Sequence, residues 1–488
     1  MIGTVVQSLG LIFCLCVVPC GGVLAAPSHD LTPEQRNAID HYVDTEMRRE
    51  HVPGIAVGIY NRGQILLAKG YGLANIELNV PVKAETVFQS GSVGKQFAAA
   101  GIMMLVEDGK VGLDDSIVKY FPNAPQSWQA ILVKNLLSHT SGLSEYESDE
   151  RVGPAGPFYL RLDFTEDELV NKIEALPIEF KPGDRWDYRN TNYVLLGVII
   201  HKVTGSFYSD YLQRRIFMPL GMSSTRLISE ADIIPNRSSG YEIKGDKIQN
   251  QSWVSPTLNS TADGALYFNV LDLAKWDAAL YGTKLLKQAS LDQIWTVFPL
   301  NDGKPNSGNY GFAWAIATVN GHKLVEHSGQ WQGFTCHFLR YPDDNISVAV
   351  LTNSDSARPE QFAHVIAGIV NPDLELPKLV AIEDKQPELA RRLAALLDQI
   401  AAGKDVKDQL SAKLAALLTP EVRETVVREL KLVWPSDALT LVSRKESDGI
   451  MVSRYRIAKD QESRIVRFGL GADGKVATLG LQPDPDVR

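Results

Sequence analysis

From Leu31 onward the apolar positions follow two periods, and where the period changes the elements can be read. LTPEQRNAIDHYVDTEMRRE begins with Thr32, Pro33 and Gln35, a cap, a first-turn proline and a capping-box partner, which predicts a helix to about Glu50. VPGIAVGIY and QILLAKGYG are short apolar runs on either side of Asn61, Arg62 and Gly63, the pattern of a strand, a tight turn and a second strand. SVGKQFAAAGIMMLVEDG predicts an apolar helix stopped at Gly109. Far along the chain, YGFAWAIATV, HKLVEHSG, FTCHFLRYP and NISVAVLTNS form four more strand-like runs broken by Gly, Pro and Asp or Asn. Strands at both ends with helical pattern and loops between them predict an α+β fold: one antiparallel sheet built from the two ends of the region, flanked by helices, with an inserted helical subdomain.

Beyond Pro372 the pattern changes. LELPKLVAIEDKQPE predicts a linker over 373–386. Leu389, Leu393, Leu397 and Ile400 then share a helical face, Thr419, Pro420 and Glu421 start another helix, and alternating runs turn at Asp473–Gly474. A small α+β accessory domain over 387–488 is expected behind a main domain over 27–372, within the two or three units that 488 residues can be expected to hold.

Composition changes this picture little. The formal net charge of −9 argues against a surface built for polyphosphate, so no nucleic-acid partner is expected. The first 26 residues carry no charged side chain, run apolar from Leu9 to Val18 and end in GGVLAAP, which predicts a signal peptide processed after Ala25 or nearby. Export to the periplasm follows, without a transmembrane anchor in the mature chain. Three of the four cysteines leave with that peptide, so Cys336 is expected as a lone buried thiol with no intramolecular disulfide. The sequence is silent on oligomeric state.

Candidate chemistry centres on FQSGSVGKQF. A phosphate loop is excluded because Gln89 and Gln96 stand where glycine and a hydroxyl are needed, and the G-x-S-x-G elbow is excluded by Ser90. Neither HExxH nor CxxC occurs, and no metal or cofactor is expected. What remains is S-x-x-K in the first turn of a helix, where residues three apart share a face and Lys95 can reach the Ser92 hydroxyl. For lysine to act as a base near neutral pH, its ordinary value of about 10.4 must fall by roughly three units, about 4 kcal/mol. Alone, the motif is better explained by a capping serine with a surface lysine.

Two further stretches change that. FKPGDRWDYRNTNYVLLGVII carries Tyr188-Arg189-Asn190, a Y-x-N in a predicted loop before an apolar helix, and VEHSGQWQGF carries His327-Ser328-Gly329 on a predicted strand. With S-x-x-K, and supported by VKNLLSHTSGL and ADGALYFNVLDLAKW, this ensemble resembles the class C β-lactamase-like serine hydrolases, a family that includes D-Ala-D-Ala carboxypeptidases, D-stereospecific aminopeptidases and family VIII esterases. The resemblance spans Leu31 to Ser354. It implies Ser92 as acylated nucleophile, Lys95 as its proton-transfer partner and Tyr188 as the phenol serving the leaving group and the deacylating water. It also implies Asn190 as a donor to the substrate's amide carbonyl, the backbone N–H groups of Ser92 and Gln330 as the oxyanion hole, and His327, Ser328 and Gly329 as the strand beside the substrate.

Three positions depart from the family pattern: Gly94 inside S-x-x-K, Arg189 where a small residue is common, and His327 where lactamases proper have lysine. Arg189 either points away or holds an anionic group. His327 removes a fixed positive charge that would meet a β-lactam carboxylate, which disfavours lactamase action. The expected function is an exported serine hydrolase acting through an acyl-enzyme on a short-chain ester or a D-amino-acid peptide, taking a small molecule or peptide as substrate. The alternatives are a β-lactamase proper or a non-catalytic cell-wall or peptide-binding homologue. Trp186, Trp314 and Trp331 are expected in the core or lining the cleft. His139 is expected to cap local backbone groups, and His322 and His337 show no carboxylate partner in the sequence.

Overall fold

The computed structural model describes residues 30–484 apart from 245, 246, 437, 448 and 461; the predicted signal peptide lies outside the described residues. Helix α1 (Pro33–Glu50) starts as the sequence dictates: Gln35 N donates to Thr32 Oγ1 (3.2 Å) and Thr32 N donates to Gln35 Oε1 (3.0 Å). Strands β1 (Gly54–Asn61) and β2 (Gln64–Asn75) follow, joined by a two-residue turn at Arg62 and Gly63, both with φ > 0. A short β3 (Val80–Pro81) pairs with β2. Downstream, β4 (Ala315–Val319), β5 (His322–Trp331), β6 (Phe334–Tyr341) and β7 (Ile346–Thr352) complete a seven-stranded antiparallel sheet in the order β3-β2-β1-β7-β6-β5-β4. The two ends of the main region meet at its centre, Ile55 opposite Thr352. This is the predicted fold class.

Both faces of the sheet are covered, which is why β1 and β7 read as continuous apolar runs instead of alternating. Ile55, Val57 and Ile59 pack with α1 and a late helix, Pro359–Val370, whereas Ala56 and Tyr60 face the larger helical side. On that larger side lie α2 (Lys95–Glu107), α3 (Asn190–Thr204) and α4 (Val270–Ala279); the late helix is α5. Every residue of α2 from Lys95 to Leu105 is buried, so its apolar character all round is explained by neighbours on every side. The predicted helix start is refined: Gly91–Gly94 form a 3-10 turn and the α-helix begins at Lys95. Asn190, predicted in a loop, is the first residue of α3.

The C-terminal residues form a four-stranded antiparallel meander, β8 (Leu439–Ser447), β9 (Ile450–Lys459), β10 (Glu462–Leu470) and β11 (Val476–Pro483). Helices α6 (Pro387–Ala401) and α7 (Pro420–Val433) pack on it around an apolar cluster containing Leu393, Leu397, Leu430, Tyr455 and Phe468. No helix among the described residues is long and apolar enough to cross a membrane.

Candidate active site

The Ser92 turn is held by its neighbours before any chemistry is considered. Phe88–Gln89 pairs with Leu266–Phe268, Ser90 N donates to Leu266 O (2.7 Å), and Ser90 Oγ donates to Gly264 O (2.9 Å). Ser90, the first serine of S-G-S, is therefore the structural one. Cys336 Sγ lies 2.8 Å from Ser90 O; its thiol is buried and pushed well up by that burial, the inert core thiol expected from the sequence. β5 presses directly on this turn. Gly91 has φ +44°, and a Cβ there would stand 2.3 Å from Gln330 N. A Cβ on Gly329 would stand 2.2 Å from Ser90 O and 3.0 Å from Ser92 N. The backbones of Ser92 and Gln330 thus meet at a junction that tolerates no side chain on either glycine.

Lys95 Nζ lies 2.9 Å from Ser92 Oγ and 2.7 Å from Asn190 Oδ1, with Asp263 O as a third acceptor. Three acceptors match the three N–H bonds of an ammonium. The ring of Tyr188 lies over the same amine, 5.1 Å from Nζ to the centroid, and its buried hydroxyl has no hydrogen-bond partner among the described residues. Ser92, Tyr188, His327, Ser328, Gly329 and Gln330 line one cavity of about 1160 Å³. Asn190 faces a narrow recess beside Ser92 instead, shared with Glu147, Asp263 and Trp331.

His327 is buried, with Nδ1 2.6 Å from the Ser328 carbonyl and Nε2 2.8 Å from the Tyr310 hydroxyl. A carbonyl only accepts, so Nδ1 carries the proton and Nε2 accepts from Tyr310. Burial, then the charge of Lys95, lowers its pKa to about 3, leaving a neutral ring where a cation would stand in a lactamase. β4 pairs with β5 only as far as Glu326, so from His327 onward β5 has a free edge towards the cavity. Ser328 lines the cavity too, but its hydroxyl is bonded to His337 Nδ1 (2.8 Å), on the opposite face of the strand from Gly329. Of the two readings of Arg189, the structure has it pointing away: Nη2 pairs with Glu179 (2.7 Å) and Asp187 (2.8 Å).

Several residues at the site escaped the sequence reading. His139 does not cap its own turn. With φ +58° and complete burial, its Nδ1 accepts from Arg189 N (3.2 Å) and Asn192 Nδ2 (3.1 Å), some fifty residues away, and its ring stacks on Tyr188 at 4.2 Å. Burial, then the charge of Lys95, holds its pKa well below the usual range, so a neutral imidazole floors the Tyr188 ring. Of the three tryptophans, Trp186 lines the cavity, Trp314 is buried, and Trp331 borders the recess while donating to Asn259 Oδ1 (2.7 Å). His322 and His337 do have carboxylates: Asp344 lies 2.8 Å from His322 Nδ1, and Glu326 lies 3.1 Å from His337 Nε2.

An acidic group also surrounds Asn190. Its Nδ2 donates to Glu147 Oε2 (2.5 Å) and its backbone N to Glu145 Oε2 (2.6 Å). The Tyr146 hydroxyl lies 2.8 Å from Glu147 Oε1 and 2.9 Å from Asp263 Oδ2. One hydroxyl proton can serve only one of two carboxylates, so the other contact needs a proton on the acid. Glu147 is the group that takes it: burial, then the charges of Asp263 and Glu145, raise its pKa to about 8. Glu145 and Glu147 sit in SEYESDE, a polar stretch with no period to mark it.

A family model described as Beta-lactamase matches residues 39–368. Penicillin-binding protein 4* of Bacillus subtilis (strain 168) is 30% identical over 312 residues, covering 60% of this chain and 66% of that protein, just under two thirds of its length. Among solved structures, D-amino acid amidase from Ochrobactrum anthropi SV3 complexed with L-phenylalanine amide superposes with a TM-score of 0.58 at 27% identity, over 70% of this chain and 97% of the amidase. The octameric penicillin-binding protein homologue from Pyrococcus abyssi superposes with a TM-score of 0.59 at 24% identity. It covers 92% of this chain and 98% of its own, a likeness of fold that extends into the C-terminal residues.

Proposed function

The chain belongs to the beta-lactamase family, and on that premise we propose that it is an exported serine hydrolase that cleaves amides or esters through an acyl-enzyme on Ser92. The observation that carries this is the 2.9 Å contact between Ser92 Oγ and Lys95 Nζ at the wall of a cavity large enough for a small peptide. As base, the amine keeps two of its three contacts, to Asn190 Oδ1 and Asp263 O, and turns its lone pair to Ser92 Oγ. The hydroxyl oxygen attacks the substrate carbonyl as its proton passes to Nζ. The N–H groups of Ser92 and Gln330, brought together at the glycine junction, receive the oxyanion. Tyr188, whose hydroxyl has no partner among the described residues, hands a proton to the departing amine or alkoxide, and the phenolate left behind then takes one from the deacylating water while Lys95 returns its proton to the departing Ser92 Oγ.

The substrate class follows from the recess beside Ser92. It holds about 20 Å³, room for one water-sized group, and is lined by Glu147 and Asp263. A free ammonium on the acyl part fits that space and charge, so the preferred substrates are amides, peptides or esters of amino acids with an unblocked amine. The likeness to a D-amino acid amidase supports the D configuration. Lactamase action is disfavoured by the neutral His327.

Intact-mass analysis after a fluorophosphonate, and separately after penicillin, tests the nucleophile. One covalent adduct located on Ser92 is expected from the fluorophosphonate, and an unmodified folded protein would return the chain to the non-catalytic alternative. Rates on D-phenylalanine amide and its N-acetyl derivative test the recess. At least tenfold preference for the free amine is expected, and equal rates would remove the substrate assignment. Measurable hydrolysis of p-nitrophenyl butyrate is expected as well.

A further inference from the structure

On the far face of β5 from Ser92, three side chains from three elements converge. Glu326 comes from β5, His337 from β6 and His364 from α5. The Glu326 Oε2 atom lies 3.1 Å from His337 Nε2 and 3.0 Å from His364 Nε2, and the three ligand-bearing atoms all fall within 4.8 Å of one another. We propose that these residues bind one divalent transition-metal ion of the zinc type.

The donor set is the first argument. Two imidazoles and one carboxylate suit Zn²⁺, Co²⁺, Ni²⁺ or Cu²⁺ and do not suit Mg²⁺ or Ca²⁺, which take oxygen ligands. Spacing is the second. Around a tetrahedral ion with bonds of about 2.0–2.1 Å, ligand atoms stand about 3.3 Å apart; the two contacts of Glu326, 3.1 and 3.0 Å, are close to that, and all three ligand atoms lie within 4.8 Å of one another. Orientation is the third. His337 Nδ1 is engaged by Ser328 Oγ at 2.8 Å, which fixes the ring and, with the Nδ1 proton given to that hydroxyl, leaves the Nε2 lone pair turned to the cluster. The second histidine is pre-ordered by burial: His364 is 7% exposed, and its Nδ1 has no partner among the described residues.

Access is the fourth argument. Glu326, His337 and His364 all line the large cavity, so an ion can enter, and a position not filled by protein can take water. Other histidine–carboxylate contacts, His201 with Glu166 and His322 with Asp344, are pairs, and among the described residues no other trio of ligand atoms comes together. Once bound, the ion ties β5, β6 and α5 together and, through His337 and Ser328, stiffens the strand that carries His327 and Gln330. It is a positioning device that takes no part in acyl transfer.

Full-length protein stripped with chelator, dialysed against micromolar Zn²⁺ and analysed for metal should retain one equivalent per chain, and Co²⁺ in its place should give visible absorption of a four- or five-coordinate site. Zn²⁺ should also raise the melting temperature by several degrees. His337→Ala and His364→Asn should each weaken binding at least tenfold, whereas His322→Ala should leave it unchanged. The Ser92→Ala protein should bind as tightly as the parent, so the result is independent of the hydrolase assignment. Absence of retained zinc in the folded parent protein, a measurement that needs no variant, overturns the proposal. So does parental affinity in the His337→Ala/His364→Asn double variant, which would place the ion elsewhere.

Discussion

Replacing Gly329 by alanine adds one methyl group where β5 meets the Ser92 turn. The new Cβ would stand 2.2 Å from Ser90 O, 2.8 Å from Cys336 Sγ and 3.0 Å from Ser92 N. An ordinary contact to that oxygen needs about 3.4 Å, so one backbone must retreat by roughly 1 Å. Neither can do so freely. Ser90 is anchored to Gly264 and Leu266, and β5 is paired with β6 through Trp331. Overpacking of this kind costs about 1–3 kcal/mol of stability. A shift of 1 Å at a reacting centre costs about 100-fold in rate. Gly329→Ala is thus expected to fold with a reduced melting temperature and to lose about two orders of magnitude in kcat for D-phenylalanine amide. Gly282→Ala is the control, because a Cβ there meets nothing within 4 Å. Circular dichroism melts and steady-state rates on both variants make the comparison. A Gly329→Ala protein with kcat within twofold of the parent and an unshifted melting temperature would refute the idea that this junction positions Ser92.

Three further outcomes are expected. His327 has its folded pKa depressed to about 3, so the unfolded state binds the extra proton and stability is lost as pH falls below about 6.5; between pH 6.5 and 4 this is about 3 kcal/mol, and denaturant melts should show the parent losing that much more than His327→Asn over the same range. Arg340 and Asp277 are fully buried and paired, so Asp277→Ala should destabilise by about 3–5 kcal/mol in urea, with Asp277→Leu/Arg340→Met recovering most of the loss. A chain ending at Pro377 keeps buried Leu374 but loses Lys378, Arg454 and Gln482 from the cavity lining, so fluorophosphonate labelling of Ser92 should persist while KM for peptides, compared with that for small amides, changes.

The sheet was legible because it is made twice over from runs that leave little choice. VPGIAVGIY and QILLAKGYG can pair only across Arg62–Gly63, and four apolar runs near the other end of the main region supply the remaining long strands. The buried thiol at Cys336 and the capped start of α1 were legible for the same local reasons. Ser92 and Lys95 were legible as a pair because three residues along a helical turn is a fixed distance. The structure departs only slightly, with a 3-10 turn in place of the first α-turn, and Ser92 and Lys95 still meet.

What the sequence hides is what depends on contact between distant segments. His139 looks like a local cap because its polar neighbours are Thr140 and Ser141, yet its partners are Arg189 and Asn192 on the far side of an inserted region. Tyr310 sits in SGNYGFAW with no period or partner to announce it, yet its hydroxyl engages His327 Nε2. Glu326 is one residue from the H-S-G triplet, but strand alternation turns it to the opposite face, where His337 and His364 wait on other elements. The acidic recess is the strongest case. Glu147 and Asp263 are more than a hundred residues apart, and burial beside the charges of Asp263 and Glu145 makes Glu147 hold a proton near neutral pH. A bound ammonium would displace that proton, because two opposite charges in so small a space leave no electrostatic reason to keep the acid neutral. On the proposed substrate class, selection at this site would be an exchange of one cation for another, a property of the assembled recess that no single stretch of sequence contains.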